Sequence, residues 1–188
     1  MKKIMMMAVM FVASATAFAG DSDALKAILK AKTYADAETL LKGSLDQLAN
    51  AQEKAKAYNK LIDLAMDQFN AQSTIQTENQ VAKQMGKEEK PVDTKLMADM
   101  AVNALNAAIE CDKYDQQPNE KGKVSPKFAK ANAQRLWMGP RNQLVNAGQN
   151  ALSAHDNATA RKYWELFTLS NEFPLFKDCD RVDCCACR

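Results

Sequence analysis

The sequence has little of what acid–base or metal chemistry depends on. His155 is its single histidine. A histidine-based metal site therefore has no second ligand, and a catalytic base would need its nucleophile and orienting carboxylate from elsewhere in the fold. His155 falls in a predicted turn between helices and reads as an exposed turn residue. Acidic residues are scattered over helix faces with no pair standing out, which leaves glycosidase or protease chemistry without support. No basic run interleaves with aromatics, so nucleic acid is not an expected partner. Cysteine is absent from residues 20–110, and a hydrophobic core rather than a disulfide framework must hold the chain. Strand-length alternation of apolar and polar residues is missing too. Alanine, leucine, lysine, glutamate and glutamine dominate instead, and they make helix the default throughout. The expected class is all-α, without enzyme activity and without a cofactor.

The first nineteen residues differ from the rest. Lys2 and Lys3 form a basic start, Ile4 to Val12 an apolar run, and Ala17-Phe18-Ala19 a small-x-small site, the pattern of a secretory signal peptide cleaved after Ala19. The run is too short to span a bilayer, which needs ~20 apolar residues, so no transmembrane segment is expected after cleavage. Lys2 and Lys3 are its only charges, and their loss cancels the formal net charge of +2. The expected location is periplasmic or secreted.

Helix signals then follow in order. Asp23 to Ala31 presents Leu25, Ile28 and Leu29 on one face, and Thr33-Tyr34-Ala35-Asp36 is a capping box for a second helix completed by Leu40 and Leu41. Gly43 is placed to stop it, with Ser44-Leu45-Asp46-Gln47 capping the next. A long helix is predicted from Leu45 to Met85, with Leu48, Ala51, Ala55, Tyr58, Ile62, Ala65 and Phe69 as its stripe. Past Phe69 the stripe thins into Gln72, Gln76, Asn79 and Gln80, so that part projects into solvent or frays. Gly86 through Pro91 ends it. Asp93 caps a helix reaching Cys111, whose apolar face holds Met97, Met100, Ala101, Ala104, Leu105, Ala108 and Ile109. The methionine pair reads as plastic core filling. After a loop over 113–125, Ser125-Pro126 is predicted to open a helix with Phe128, Ala131, Leu136 and Trp137, broken or kinked at Gly139-Pro140. The resulting regions are 1–19, 20–86, 87–141, 142–176 and 177–188.

Within 142–176 the spacing becomes specific. Gly148, Ala151, Ala160, Trp164 and Phe167 recur at intervals of three, nine, four and three, with His155-Asp156-Asn157 as the turn and Asp156 as N-cap. This segment resembles a tetratricopeptide repeat, departing from its pattern in the late proline, Pro174, and in the size of Phe167. Leu25 to Ser44 echoes the spacing through Ile28, Ala37 and Leu41. The layout is similar to periplasmic tetratricopeptide proteins of Gram-negative bacteria. The resemblance implies a solenoid or bundle of antiparallel helix pairs. Gly148 and Ala151 would allow close helix approach, Ala160 would sit where the backbones are nearest, and Trp164 would fill the space toward a next repeat. It further implies a scaffold that binds a protein or peptide, with Asn142, Asn146, Gln149 and Ser153 facing the groove. Trp137, Tyr163, Trp164 and Phe167 read as core aromatics.

Two further expectations concern the end of the chain. Cys179, Cys184, Cys185 and Cys187 offer four thiolates, the basis of a rival reading as a thiol or metal-binding module, although adjacent cysteines rarely both ligate one metal. Phe167, Leu169, Phe173, Pro174, Leu175 and Phe176 form an apolar end with no helix after it. Such a chain is expected to be part of a longer array, to self-associate through this end, or to fold the segment back onto the long helix.

Overall fold

The computed structural model describes residues 20–119, 121–177 and 179. Among the described residues the fold is all-α: α1 (Asp23–Lys30), α2 (Tyr34–Ser44), α3 (Ala51–Gln84), α4 (Thr94–Asp115), α5 (Ala129–Trp137), α6 (Pro140–Ser153) and α7 (Asn157–Ser170), with 3-10 turns at Leu45–Gln47 and Pro174–Phe176. The predicted signal peptide lies outside the described residues, and no described helix is long and apolar enough to cross a membrane.

Local capping sets several starts. Ser22, Thr33, Asn50, Asp93 and Asp156 each accept a hydrogen bond from the backbone N–H three residues on, satisfying amides that the first turn of a helix leaves open. Gly86, at φ 64°, ends α3. There the Lys87 amide donates to the Ala82 carbonyl and the Gly86 amide to Lys83, a Schellman closure in which glycine adopts the left-handed conformation at little cost.

An antiparallel hairpin of α3 and α4 forms the centre. Ala55, Ile62 and Ala65 of α3 face Ala101, Ala104, Leu105 and Ala108 of α4, all at most 1% exposed. Alanines on both sides allow close backbone approach. α1 and α2 cover the first half of α3 through Leu25, Ile28, Ala37 and Leu41, and a polar anchor adds to this apolar join. Glu53 accepts hydrogen bonds from the Ser22 amide at 2.7 Å, the Ser22 hydroxyl at 2.6 Å and the Ala49 amide at 2.8 Å. Burial pushes the Glu53 carboxyl up, but the three donors together outweigh it and hold the group below its ordinary range.

α5 is pinned by side chains rather than by its own sequence. Asp115, at the end of α4, accepts from the amides of Lys127, Phe128 and Ala129. A carboxylate is unfavourable at a helix C-terminus, yet here it neutralises the open amides of the next helix. Asn132 and Arg135 reach across to α3: Asn132 donates to Asn59 at 3.2 Å, and Arg135 pairs with Asp63 at 2.6 Å. Cys111 sits beneath them, donating to the Ala55 carbonyl at 3.4 Å. Burial, reinforced by Asp115 and Asp112, pushes its thiol up to about 12, so it is a neutral core residue.

The structure corrects several expectations. Leu29 and Leu40 are exposed, because the sides of α1 and α2 that meet each other and α3 are taken by Leu25, Ile28, Tyr34, Ala37 and Leu41, and Leu29 and Leu40 point away from them. Gly43 does not stop α2, which runs through Ser44 into the 3-10 turn, so α3 begins at Ala51 under the Asn50 cap. α4 continues past Cys111 to Asp115, since Tyr114 still finds a packing partner in Tyr58 at a ring separation of 5.8 Å. Ser125 and Pro126 do not open α5. The Asp115 carboxylate sets its start further on, and Ala131 faces solvent. The second half of α3 neither frays nor packs deeply. It stays helical to Gln84, held by the returning loop, where Asn79 exchanges two hydrogen bonds with the Lys90 backbone and Gln72 accepts from the Asp93 amide.

Candidate protein-binding surface

α6 and α7 form an antiparallel pair, and each contact in it has a residue-level cause. Pro140 opens α6 at its first position, where the missing N–H costs nothing. α6 ends with His155 at φ 61°, the Asp156 amide donating to Ala151 and the His155 amide to Leu152. This closure usually uses glycine. Asp156 then caps α7, its carboxyl held low by hydrogen bonds from the Thr159 hydroxyl and amide.

Gly148 is the point of closest approach. A Cβ placed there would meet Trp164 Nε1 at 2.2 Å, so only glycine lets the indole lie flat on α6. The indole N–H donates to the Val145 carbonyl at 3.3 Å. Trp164 therefore fills space within the pair rather than toward a following repeat, a correction that arises because its ring turns back onto α6. Ala160 is buried between the helices as expected, and Ala151 is half-buried.

Phe167 has a role its size already hinted at. The Arg141 guanidinium lies 4.1 Å from the Trp137 ring centre and 4.2 Å from that of Phe167. It donates from Nε to Ser170 Oγ at 2.7 Å and from Nη2 to Asn171 Oδ1. Such a stacked, forked cation ties α6 to both α5 and α7. Sequence reasoning missed Arg141. Its one signal was a cation in the first turn of a helix, where the dipole disfavours positive charge.

The apolar end folds back, though onto α5 and not onto the long helix. Phe176 is 1% exposed, its ring 5.4 Å from Trp137. Of the three expectations for this end the fold-back is the one seen at Phe176, with α5 in place of the long helix, because Trp137 offers an aromatic shelf that the helical pattern did not reveal. Leu169 is exposed.

The four groove-facing candidates, Asn142, Asn146, Gln149 and Ser153, all lie on the exposed face of α6. Only Ser153 is engaged, donating to the Gln149 carbonyl of its own helix. Beside them, α7 and Leu152 border an open apolar groove of about 730 Å³ around Trp164. Trp137, Tyr163 and Phe167 pack against the core, whereas Trp164 lines this groove. Of the four C-terminal cysteines, Cys179 is buried against the core, and Cys184, Cys185 and Cys187 lie outside the described residues. No cluster of three metal-ligating side chains occurs among the described residues.

No family model, curated protein or solved structure matches the chain.

Proposed function

We propose that the chain is a non-enzymatic, exported scaffold of tetratricopeptide type that binds a protein or peptide through the α6–α7 pair in the periplasm or outside the cell. The observation that carries this reading is the row Asn142, Asn146, Gln149 and Ser153. It is a line of amide and hydroxyl groups along one exposed helix face, and its three amides make no hydrogen bond within the described residues. Amides both donate and accept, which suits the backbone of an extended peptide. The burial of Ala160 and the close approach of α7 at Gly148 are in keeping with the helix-pair reading, since small residues at these positions let the two helices pack closely. A capture experiment from periplasmic extract tests the reading. The Asn146→Ala/Gln149→Ala double variant is expected to lose the captured partner at unchanged helicity, and retention at full affinity would exclude this face. Mass spectrometry of the exported chain is expected to find Gly20 at its N-terminus, and an intact Met1 in soluble cytoplasmic protein would refute export.

A further inference from the structure

The exposed face of α6 carries no charge, in a chain of which 26% is charged. The one charged residue of this helix, Arg141, is buried between two rings. Two aliphatic side chains share the exposed face with the amide row, Val145 at 40% and Leu152 at 41% exposure. At about 100° per residue they stand about 40° to 80° round the helix from Asn142 and Gln149, on the side that turns toward Gly148 and α7. Trp164 lies beyond them, its ring on Gly148 and its N–H on the Val145 carbonyl. An amide stripe and an apolar stripe therefore run side by side, the second continuing into the groove lined by Leu152, Ala160 and Trp164. The two charged residues of that groove, Arg161 and Glu165, pair with each other at 2.5 Å.

The spacing of the amide stripe sets what a bound peptide presents to the apolar one. Asn142 and Gln149 lie seven positions apart, about 10.5 Å along the axis and so about three steps of extended chain. A peptide bonded to both lays four residues along the stripe, and alternation turns two of their side chains, at i and i+2, toward the protein. A charged group there would lose hydration without gaining a counter-charge. A large apolar group instead meets two aliphatic side chains and a fixed indole, the kind of anchor at which binding energy concentrates. We infer that the peptide taken by this face is uncharged over those four residues and carries large apolar side chains at i and i+2, directed at Val145, Leu152 and Trp164. The inference rests on the peptide-binding reading and specifies its ligand.

Selection of a displayed random heptapeptide library on the immobilised mature chain tests it, followed by calorimetry with the selected peptide made synthetically and capped at both ends. Enriched sequences are expected to hold aromatic or aliphatic residues at i and i+2 and to lack Asp, Glu, Lys and Arg from i to i+3. Val145→Lys and Leu152→Lys alter exposed side chains, so helicity by circular dichroism should be unchanged. Each is expected to weaken binding of the selected peptide by about tenfold or more. Enrichment of charged sequences overturns this inference and leaves the peptide-binding reading standing. So does a selected peptide that is indifferent to both lysine substitutions but lost with Asn146→Ala/Gln149→Ala. No enrichment on the wild-type chain overturns both.

Discussion

The hairpin of α3 and α4 and the pair of α6 and α7 are both antiparallel, yet they are stabilised differently. The central hairpin has neighbours on both sides, α1 and α2 on one and α5 and α6 on the other. Its inward residues are alanines and aliphatic side chains with Phe69 and three methionines between them, and Asn59, Asp63 and Asp115 hold α5 beside it. The α6–α7 pair leans on α4 mainly through α6. Its tightness comes from a few special contacts: a glycine under an indole, an arginine between two rings, a histidine in a left-handed turn. A helix at the centre spends its faces on packing, whereas the pair at the edge leaves one face of each helix exposed.

The largest effect should separate the two regions outright. Leu105→Ala, at a site with no solvent exposure, is expected to cost about 3 kcal/mol through lost burial and the cavity left behind. Leu169→Ala, at a half-exposed site, should cost about 0.5 kcal/mol. Equal losses in urea titrations would break the comparison.

Glu53 probes the polar join beside the hairpin. Replacing it with Gln puts an amide among three donors and is expected to cost about 2 kcal/mol. Its folded-state pKa lies below its ordinary value of 4.5. The stabilisation is therefore fully present above that value and is lost as pH falls through the lower, folded-state one. Thermal melts below pH 4.5 should converge for wild type and Glu53→Gln, and parallel curves would show that the carboxylate is not the origin.

In the outer pair, Gly148→Ala reverses a general rule. Alanine in a helix normally gains about 1 kcal/mol over glycine. Here the new methyl strikes the Trp164 ring, and a net loss of about 1 to 2 kcal/mol is expected. Adding Trp164→Ala should turn the same substitution stabilising, a coupling readable in a double-mutant cycle. The smallest expected effect is a gain. His155→Gly relieves a side chain held at positive φ and should stabilise the chain by about 0.5 kcal/mol after the entropy cost of glycine, measured by thermal melting.

Much of the architecture was legible in the residues. Thr33, Asp93, Asp156 and Gly86 were identified as helix starts or stops, and each holds that position. The stripes through Ile62, Phe69, Ala101 and Leu105 are buried as the spacing predicted. The candidate row on α6 emerged on one exposed face because helical period alone decides which positions align. Arg141 was not legible, since its two ring partners come from α5 and α7.

The sequence by itself determined that this chain is helical and where many of its helices begin and end, because a cap or a left-handed stop closes hydrogen bonds within one turn. The start of α5 lay outside that reach, as its amides are satisfied by Asp115 from twelve to fourteen residues upstream. Tertiary structure also decided that Leu29, Leu40 and Leu169 face solvent, that Trp164 turns onto Gly148, and that Phe176 docks on Trp137. In each case the apolar residue is the same in either fate. Whether it is buried depends on which distant surface arrives beside it, and a periodic pattern along one helix carries no record of that neighbour.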